Sequence, residues 1–265
     1  MQVLVEVADG VATVTLNRPE ARNAISAELH RELDDTITGL DAREDVRCMV
    51  LTGADPAFCA GMDLKALANE DRVVQQERQR TPSQRTAMMP PHDTPVIGAI
   101  NGPTVTGGLE LALCCDFLIA SERARFADTH VRVGVMPGGG MTIRLPQLIG
   151  IDRARRMSLT GDYVDAETAL AWGLVVEVVP HEELVHRARE IAGTIAAIPA
   201  EYVRELRRGY DEMNALLGPE AVAAEHRWSR AWMAERFDQA RLSTEREKIV
   251  ARGREQSTGL DGTPA

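Results

Sequence analysis

Lysine is almost missing: Lys65 and Lys248 are the only two in 265 residues, and arginine carries the rest of the positive charge. Lys plus Arg total 30 against 40 Asp plus Glu, a formal net charge of −10. A chain of that sign lacks the clustered cations that displace counterions from a polynucleotide, so no nucleic-acid partner is expected. An anionic small ligand would have to be held by a few local cations or by backbone N–H groups. Cysteine is sparse as well. Cys48, Cys59, Cys114 and Cys115 form no Cys-x-x-Cys pair, which argues against zinc and dithiol redox chemistry. Buried free thiols in a reducing cytoplasm are the expectation. The most apolar stretch, residues 109–120, contains Glu110 and Asp116 and is too short to span a bilayer, so no membrane insertion is expected. Met1 to Glu6 shows neither a basic nor an apolar leader pattern.

What is present reads as mixed α/β. Residues 3–7 and 11–16 alternate in β-rich side chains around Asp9-Gly10, a hairpin signal. Ser26 has the position of an N-cap, with Leu29, Leu33, Ile37 and Leu40 at helical spacing behind it. Short apolar runs at 46–51, 96–100 and 117–120 suit strands buried on both faces, and 174–179 is a further candidate. Four prolines within 81–95 mark a loop or broken helix. From His181 onward strand signals stop, and helical stretches are expected at about 181–198, 200–216 and 219–238, followed by a polar tail. A division follows: a core over 1–180 and a helical region over 181–265.

Several motifs fail on inspection. Gly102 to Gly107 has phosphate-loop glycine spacing, but Gly108-Leu109 replaces the required Lys-Ser/Thr. His181 and His186 are five apart, which does not put two zinc ligands on one helix face, and a solvated first turn is the expectation there. Gly138-Gly139-Gly140 lacks the strand-before, helix-after context of a dinucleotide site. No metal centre is expected.

Two segments carry chemistry. Residues 57–65, Ala-Phe-Cys-Ala-Gly-Met-Asp-Leu-Lys, and residues 100–111, Ile-Asn-Gly-Pro-Thr-Val-Thr-Gly-Gly-Leu-Glu-Leu, both run from a strand through small residues into a helix. Such junctions expose unpaired N–H groups at a helix start, where the dipole favours negative charge. Two of them facing one another would make an oxyanion hole, in which each donor contributes about 2.7–4 kcal/mol to a charged transition state. Glu110 would then lie beside the reacting carbonyl as general acid or base. The alternative is a pair of tight connections with Glu110 an exposed first-turn acid.

Together with Leu16-Asn17-Arg18-Pro19-Glu20-Ala21-Arg22-Asn23-Ala24-Ile25, Pro95 to Gly102, Cys115-Asp116, Gly134 to Gly140, Leu159-Thr160-Gly161, Ala169 and Gly173-Leu174-Val175, these segments resemble the enoyl-CoA hydratase/isomerase (crotonase) superfamily. The resemblance implies a crotonase fold of repeated ββα turns, a trimer or dimer of trimers assembled through the C-terminal helical region, and a coenzyme A thioester as substrate with no separate cofactor. It places the oxyanion donors on the N–H groups of Met62 and Gly107 and one catalytic glutamate on Glu110. The position of the second glutamate carries His130, which could act as acid/base, bind a polar acyl group or only line the pocket. Asp128 and Arg132, two residues to either side of it, could compensate for the missing carboxylate or pair together, but surface charges on a loop are the expectation. Substrate contacts map onto Arg22, Ala24, Ala60, Asp63, Leu64, Lys65, Gly108 and Val135, with Arg22 and Lys65 as phosphate cations. Met88, Met89 and Pro90 would adapt to the acyl chain. The ending Ala251-Arg252-Gly253-Arg254 departs from the family's pattern. Hydration of a trans-2-enoyl-CoA in fatty-acid metabolism is the implied activity. The rivals are double-bond isomerisation with Glu110 as single base, or acyl-CoA binding without turnover.

Overall fold

A computed structural model describes residues 1–64, 88–215, 219–237 and 239–258. Its strands are β1 (Val3–Ala8), β2 (Val11–Leu16), β3 (Cys48–Gly53), β4 (Val96–Ile100), β5 (Pro103–Val105), β6 (Phe117–Ser121), β7 (Arg125–Ala127), β8 (Val164–Asp165) and β9 (Glu177–Val179). The helices are α1 (Ala27–Asp41), α2 (Gly107–Ala112), α3 (His130–Val133), α4 (Met141–Ile149), α5 (Ile151–Thr160), α6 (Ala166–Trp172), α7 (Leu184–Ala196), α8 (Ala200–Ala215), α9 (Pro219–Arg236) and α10 (Gln239–Thr258).

The hairpin forms as its sequence dictates. Asp9 and Gly10 both take positive φ, 52° and 81°, and β1 and β2 pair antiparallel across them. Every later strand of the main sheet is parallel to its neighbour, in the order β1-β2-β3-β4-β6-β9. Alternation then divides the strand side chains between two cores. Met49, Leu51, Val96, Ile100, Leu118 and Ala120 enter the larger core, which α1 closes with Leu29, Leu33, Ile37 and Leu40. Cys48, Val50, Ile97, Ala99 and Ile119 face the other way, onto Leu184, Ala188, Ala192 and Ala196 of α7. The helix that opens the 181–265 region therefore forms a layer of the core. Small residues at every fourth position let it lie close to the sheet.

Ser26 caps α1 as expected, its hydroxyl accepting from the Leu29 N–H at 3.1 Å. Two expectations change. The strand expected at 174–179 covers only Glu177–Val179, because Leu174 and Val175 turn into the core after the left-handed Gly173 cap. The polar tail expected after 238 instead contains α10. Polarity misleads there because α10 packs on α3 and Gly253 comes against Tyr163, so tertiary contact replaces an apolar stripe.

A second sheet, β5-β7-β8, organises the site. β5 lies parallel to β7, and Cys59 bridges Thr104 on β5. Chain segments following Cys59, Val105 and Ala127 therefore leave one layer side by side. Asn23 fixes the approach from below. Its buried amide accepts from the Arg18 N–H at 2.8 Å and donates to the carbonyls of Ala54 and Ala57 at 2.8 and 2.7 Å, at a φ of 54° that asparagine tolerates. Asn23→Ala should lower stability by at least about 1–3 kcal/mol through the groups left unpaired. Urea unfolding would read this as a lower midpoint at unchanged slope; an unchanged midpoint would contradict the role.

Candidate active site

The two glycine-rich junctions do face one another. Residues 22–25 and 60–63 form a short ladder: the Ala60 N–H donates to the Arg22 carbonyl at 3.0 Å, Ile25 N–H to Gly61 at 2.8 Å, and Asp63 N–H to Ile25 at 3.0 Å. Since Gly61 and Asp63 supply the groups that bridge to Ile25, the Met62 N–H between them is directed away from that ladder. The Met62 nitrogen lies beside the start of α2. A Cβ added to Gly107 would lie 3.5 Å from the Met62 nitrogen, and one added to Gly61 would lie 2.8 Å from the Val105 carbonyl oxygen. Gly61 also has φ of 89°, so glycine is required there twice over. Gly108 is equally constrained, since a Cβ would come within 2.2 Å of the Cys59 carbonyl oxygen.

Gly107 opens α2, and the residue before it does not cap the helix. Thr106 takes φ 54° and ψ −111°, uncommon for a β-branched residue and costing roughly 1–3 kcal/mol. Its hydroxyl turns aside to Thr129, bonding that hydroxyl at 2.6 Å and accepting from that N–H at 3.1 Å. The Thr106 side chain thus leaves the first-turn N–H groups of α2 uncapped.

One turn further on, Glu110 is buried, 4% exposed. The alternative of an exposed first-turn acid is set aside by that burial. Its Oε1 accepts from the Gly139 N–H at 2.7 Å. A Cβ on Gly139 would fall 3.0 Å from the Glu110 carboxyl carbon and 2.8 Å from Met88 Cγ, so only glycine lets this backbone reach the carboxylate. The other oxygen, Oε2, lies 3.8 Å from His130 Nε2. His130 is itself buried, and its Nδ1 bonds Asp128 Oδ1 at 2.6 Å.

Asp128 is a correction. Expected as a loop charge, it is 1% exposed and directly follows β7, with its carboxylate turned inward onto His130. Burial pushes its pKa up, but hydrogen bonds and charge from His130 and a hydrogen bond from Ser158 outweigh this and hold it below the usual carboxylate value. Arg132 does not pair with it; its guanidinium donates to the Thr160 carbonyl at the surface.

The remaining contacts fall in two groups. Arg22, Ala24, Ala60, Met62, Asp63 and Leu64 share the ladder's strip, and Arg22 is exposed there. The Asp63 carboxylate is engaged by Arg18 at 3.3 Å, so it holds the strip together. Val135 follows α3, its N–H bonded to the His130 carbonyl at 3.2 Å. Lys65 lies outside the described residues. Met88 approaches Gly139, while Met89 is buried in the core. His181 is not a solvated turn residue: its ring bridges Ser121 Oγ and Asp55 Oδ2, each at 3.0 Å. Sequence reasoning missed Gly139, Thr106 and Arg18 as site-building residues. The Gly138–Gly140 run was the available signal for the first; nothing local marks the others.

A family model for enoyl-CoA hydratase/isomerase matches residues 6–248. A putative enoyl-CoA hydratase/isomerase of Bacillus subtilis is 41% identical over 202 residues, covering 74% of this chain and 76% of the relative. Crotonyl-CoA hydratase of Syntrophomonas wolfei is 35% identical over 194 residues, covering 73% and 75%. The crystal structure of enoyl-CoA hydratase from Mycobacterium smegmatis matches with a TM-score of 0.79 and 47% identity, over 88% of this chain and 99% of that one. The paired glycine junctions and the buried Glu110 lie within the matched span, and the chain belongs to the enoyl-CoA hydratase/isomerase family, with its crotonase fold.

Proposed function

We propose that this protein hydrates a trans-2-enoyl-CoA, with Glu110 and His130 as its acid/base pair. The observation that carries the reading is a buried Glu110 carboxylate, fixed by Gly139, one turn after the Gly107 N–H and with His130 Nε2 opposite it. The thioester oxygen would accept from the Met62 and Gly107 N–H groups, which stabilise the enolate as charge develops. Glu110 takes one proton from water while the hydroxyl bonds to Cβ and the π electrons move toward the carbonyl. His130, protonated at Nε2, gives its proton to Cα. Transfer from Glu110 to Nε2 across the 3.8 Å gap then restores both groups.

Coenzyme A is anionic, so its phosphates would be met by local cations; exposed Arg22, beside the strip that approaches the oxyanion donors, is the described candidate. The four cysteines are free, in keeping with a cytoplasmic enzyme of fatty-acid metabolism. Among the described residues, no helix is long and apolar enough to cross a membrane.

The chain also has a face suited to self-association as a trimer or dimer of trimers. Helix α8 is held to the body by arginines: Arg204 donates to Thr94 Oγ1 at 3.0 Å, and Arg207 to Asp116 and the His92 carbonyl, both at 2.7 Å. Its opposite face, Tyr202, Leu206 and Tyr210, is 64–66% exposed and lines an open groove of about 600 Å³ with Glu205 and Gly209. A helix that turns Arg204 and Arg207 inward and Tyr202, Leu206 and Tyr210 outward offers a surface to an apolar partner.

Glu110→Gln should lower kcat for crotonyl-CoA hydration about 10²–10⁴-fold. A wild-type rate in that variant would remove Glu110 from the mechanism. His130→Ala should cost a comparable factor in hydration. If it instead spares double-bond migration in a 3-enoyl-CoA while hydration is absent from the wild type, the single-base isomerase is the correct reading. Thioester binding with neither reaction would make this a binding protein. Leu206→Glu should convert the assembly to monomers in light scattering, and an unchanged mass would exclude α8 from the interface.

A further inference from the structure

His130 does not stand alone. Asp128 presents one oxygen, Oδ1, to both the backbone N–H and the ring Nδ1 of His130, at 3.2 and 2.6 Å. Ser158 on α5 hydrogen-bonds the same carboxylate. A carboxylate buried this deeply is costly unless donors surround it, and three donors do. Held ionised, it can only accept, so the ring proton must reside on Nδ1. The ring's lone pair is then on Nε2, the atom that lies 3.8 Å from Glu110 Oε2. Arg132, also on α3, is turned away to Thr160 and does not compete for Asp128.

We infer that Asp128 is a positioning residue which fixes His130 in its Nδ1–H form and raises the proton affinity of Nε2, making a carboxylate-backed imidazole the second acid/base of the site. This rests on the hydratase reading above and adds to it. A lone neutral imidazole in an apolar wall would exchange tautomers, and its Nε2–H form would present an N–H to Glu110 with no capacity to receive a proton. The ion pair formed when Nε2 is protonated is stabilised by the Asp128 charge, both side chains being buried away from bulk solvent. Asp128 itself stays ionised throughout and transfers no proton; it acts by holding orientation and charge.

Two measurements on the full-length enzyme test this. In ¹⁵N-histidine NMR, with the resonances assigned by their loss in His130→Ala, the unliganded wild type at a pH where His130 is neutral should show a protonated Nδ1 and an unprotonated Nε2. Asp128→Asn, whose amide can donate to Nδ1, should move the proton to Nε2. The same variant should lose about 10²–10⁴-fold in kcat for crotonyl-CoA while KM changes less than about threefold. If Asp128→Asn does not fold, Ser158→Ala serves instead: removing one donor should lower kcat measurably at unchanged KM. A wild-type spectrum with the proton on Nε2, or full kcat in Asp128→Asn, overturns the inference. If Glu110→Gln loses hydration and Asp128→Asn keeps it, the function stands and Asp128 has no part in it. If the wild type hydrates no enoyl-CoA, both fall together.

Discussion

Three residues of extended backbone, Pro103–Val105, align nearly everything that gives this protein its chemistry. Cys59 pairs with them on one side and β7 on the other, so the two glycine junctions and the His130 segment emerge from a single short sheet. Distances between the N–H donors, Glu110 and His130 are therefore set by main-chain hydrogen bonding, which varies little, and not by long side chains, which vary much. Catalysis that relies on charge stabilisation needs donors already in place, because reorganising them during the reaction would consume the gain. The close approaches at Gly61 and Gly108 follow from that demand, since a side chain at either would force the layers apart.

Much of the fold was legible because its signals are local. A two-residue turn, an N-cap serine and short apolar runs each depend on neighbours within a few positions, and the hairpin, α1 and the central strands appeared close to where those signals placed them. Glu110 could be found for the same reason, one turn beyond a glycine junction. Asp128 could not. Its inward orientation is decided by where β7 ends and by Ser158, 30 positions later, and an aspartate beside an arginine looks like surface until those are known. Gly139 was visible as part of a glycine run, yet its use as the donor to a carboxylate 29 residues earlier is a tertiary fact. The α10 helix is the same lesson reversed: sequence polarity argued for a tail, and packing against α3 made a helix.

Charge is handled locally throughout. A net −10 chain with a buried Asp128 and Glu110 a few ångströms from one histidine concentrates negative charge where an enolate is to form. Main-chain dipoles offset this, being fixed in direction and carrying no net charge of their own. Several arginines, meanwhile, serve architecture: Arg18 pairs with Asp63, Arg207 with Asp116, Arg187 with Glu177. Such pairs orient elements more than they stabilise them.

The seat of Glu110 has a consequence for the order in which the molecule is made. Gly139 belongs to a loop whose Met136 carbonyl is held by the Ser229 hydroxyl of α9 at 3.0 Å, and Gly138 packs against the same serine. Ser229 is translated 93 positions after Met136. During synthesis, when N-terminal parts fold first, the sheet and its glycine junctions can assemble while the loop beneath Glu110 still lacks its fastening. Glu110 is thus translated well before the serine that fastens the loop beneath its carboxylate.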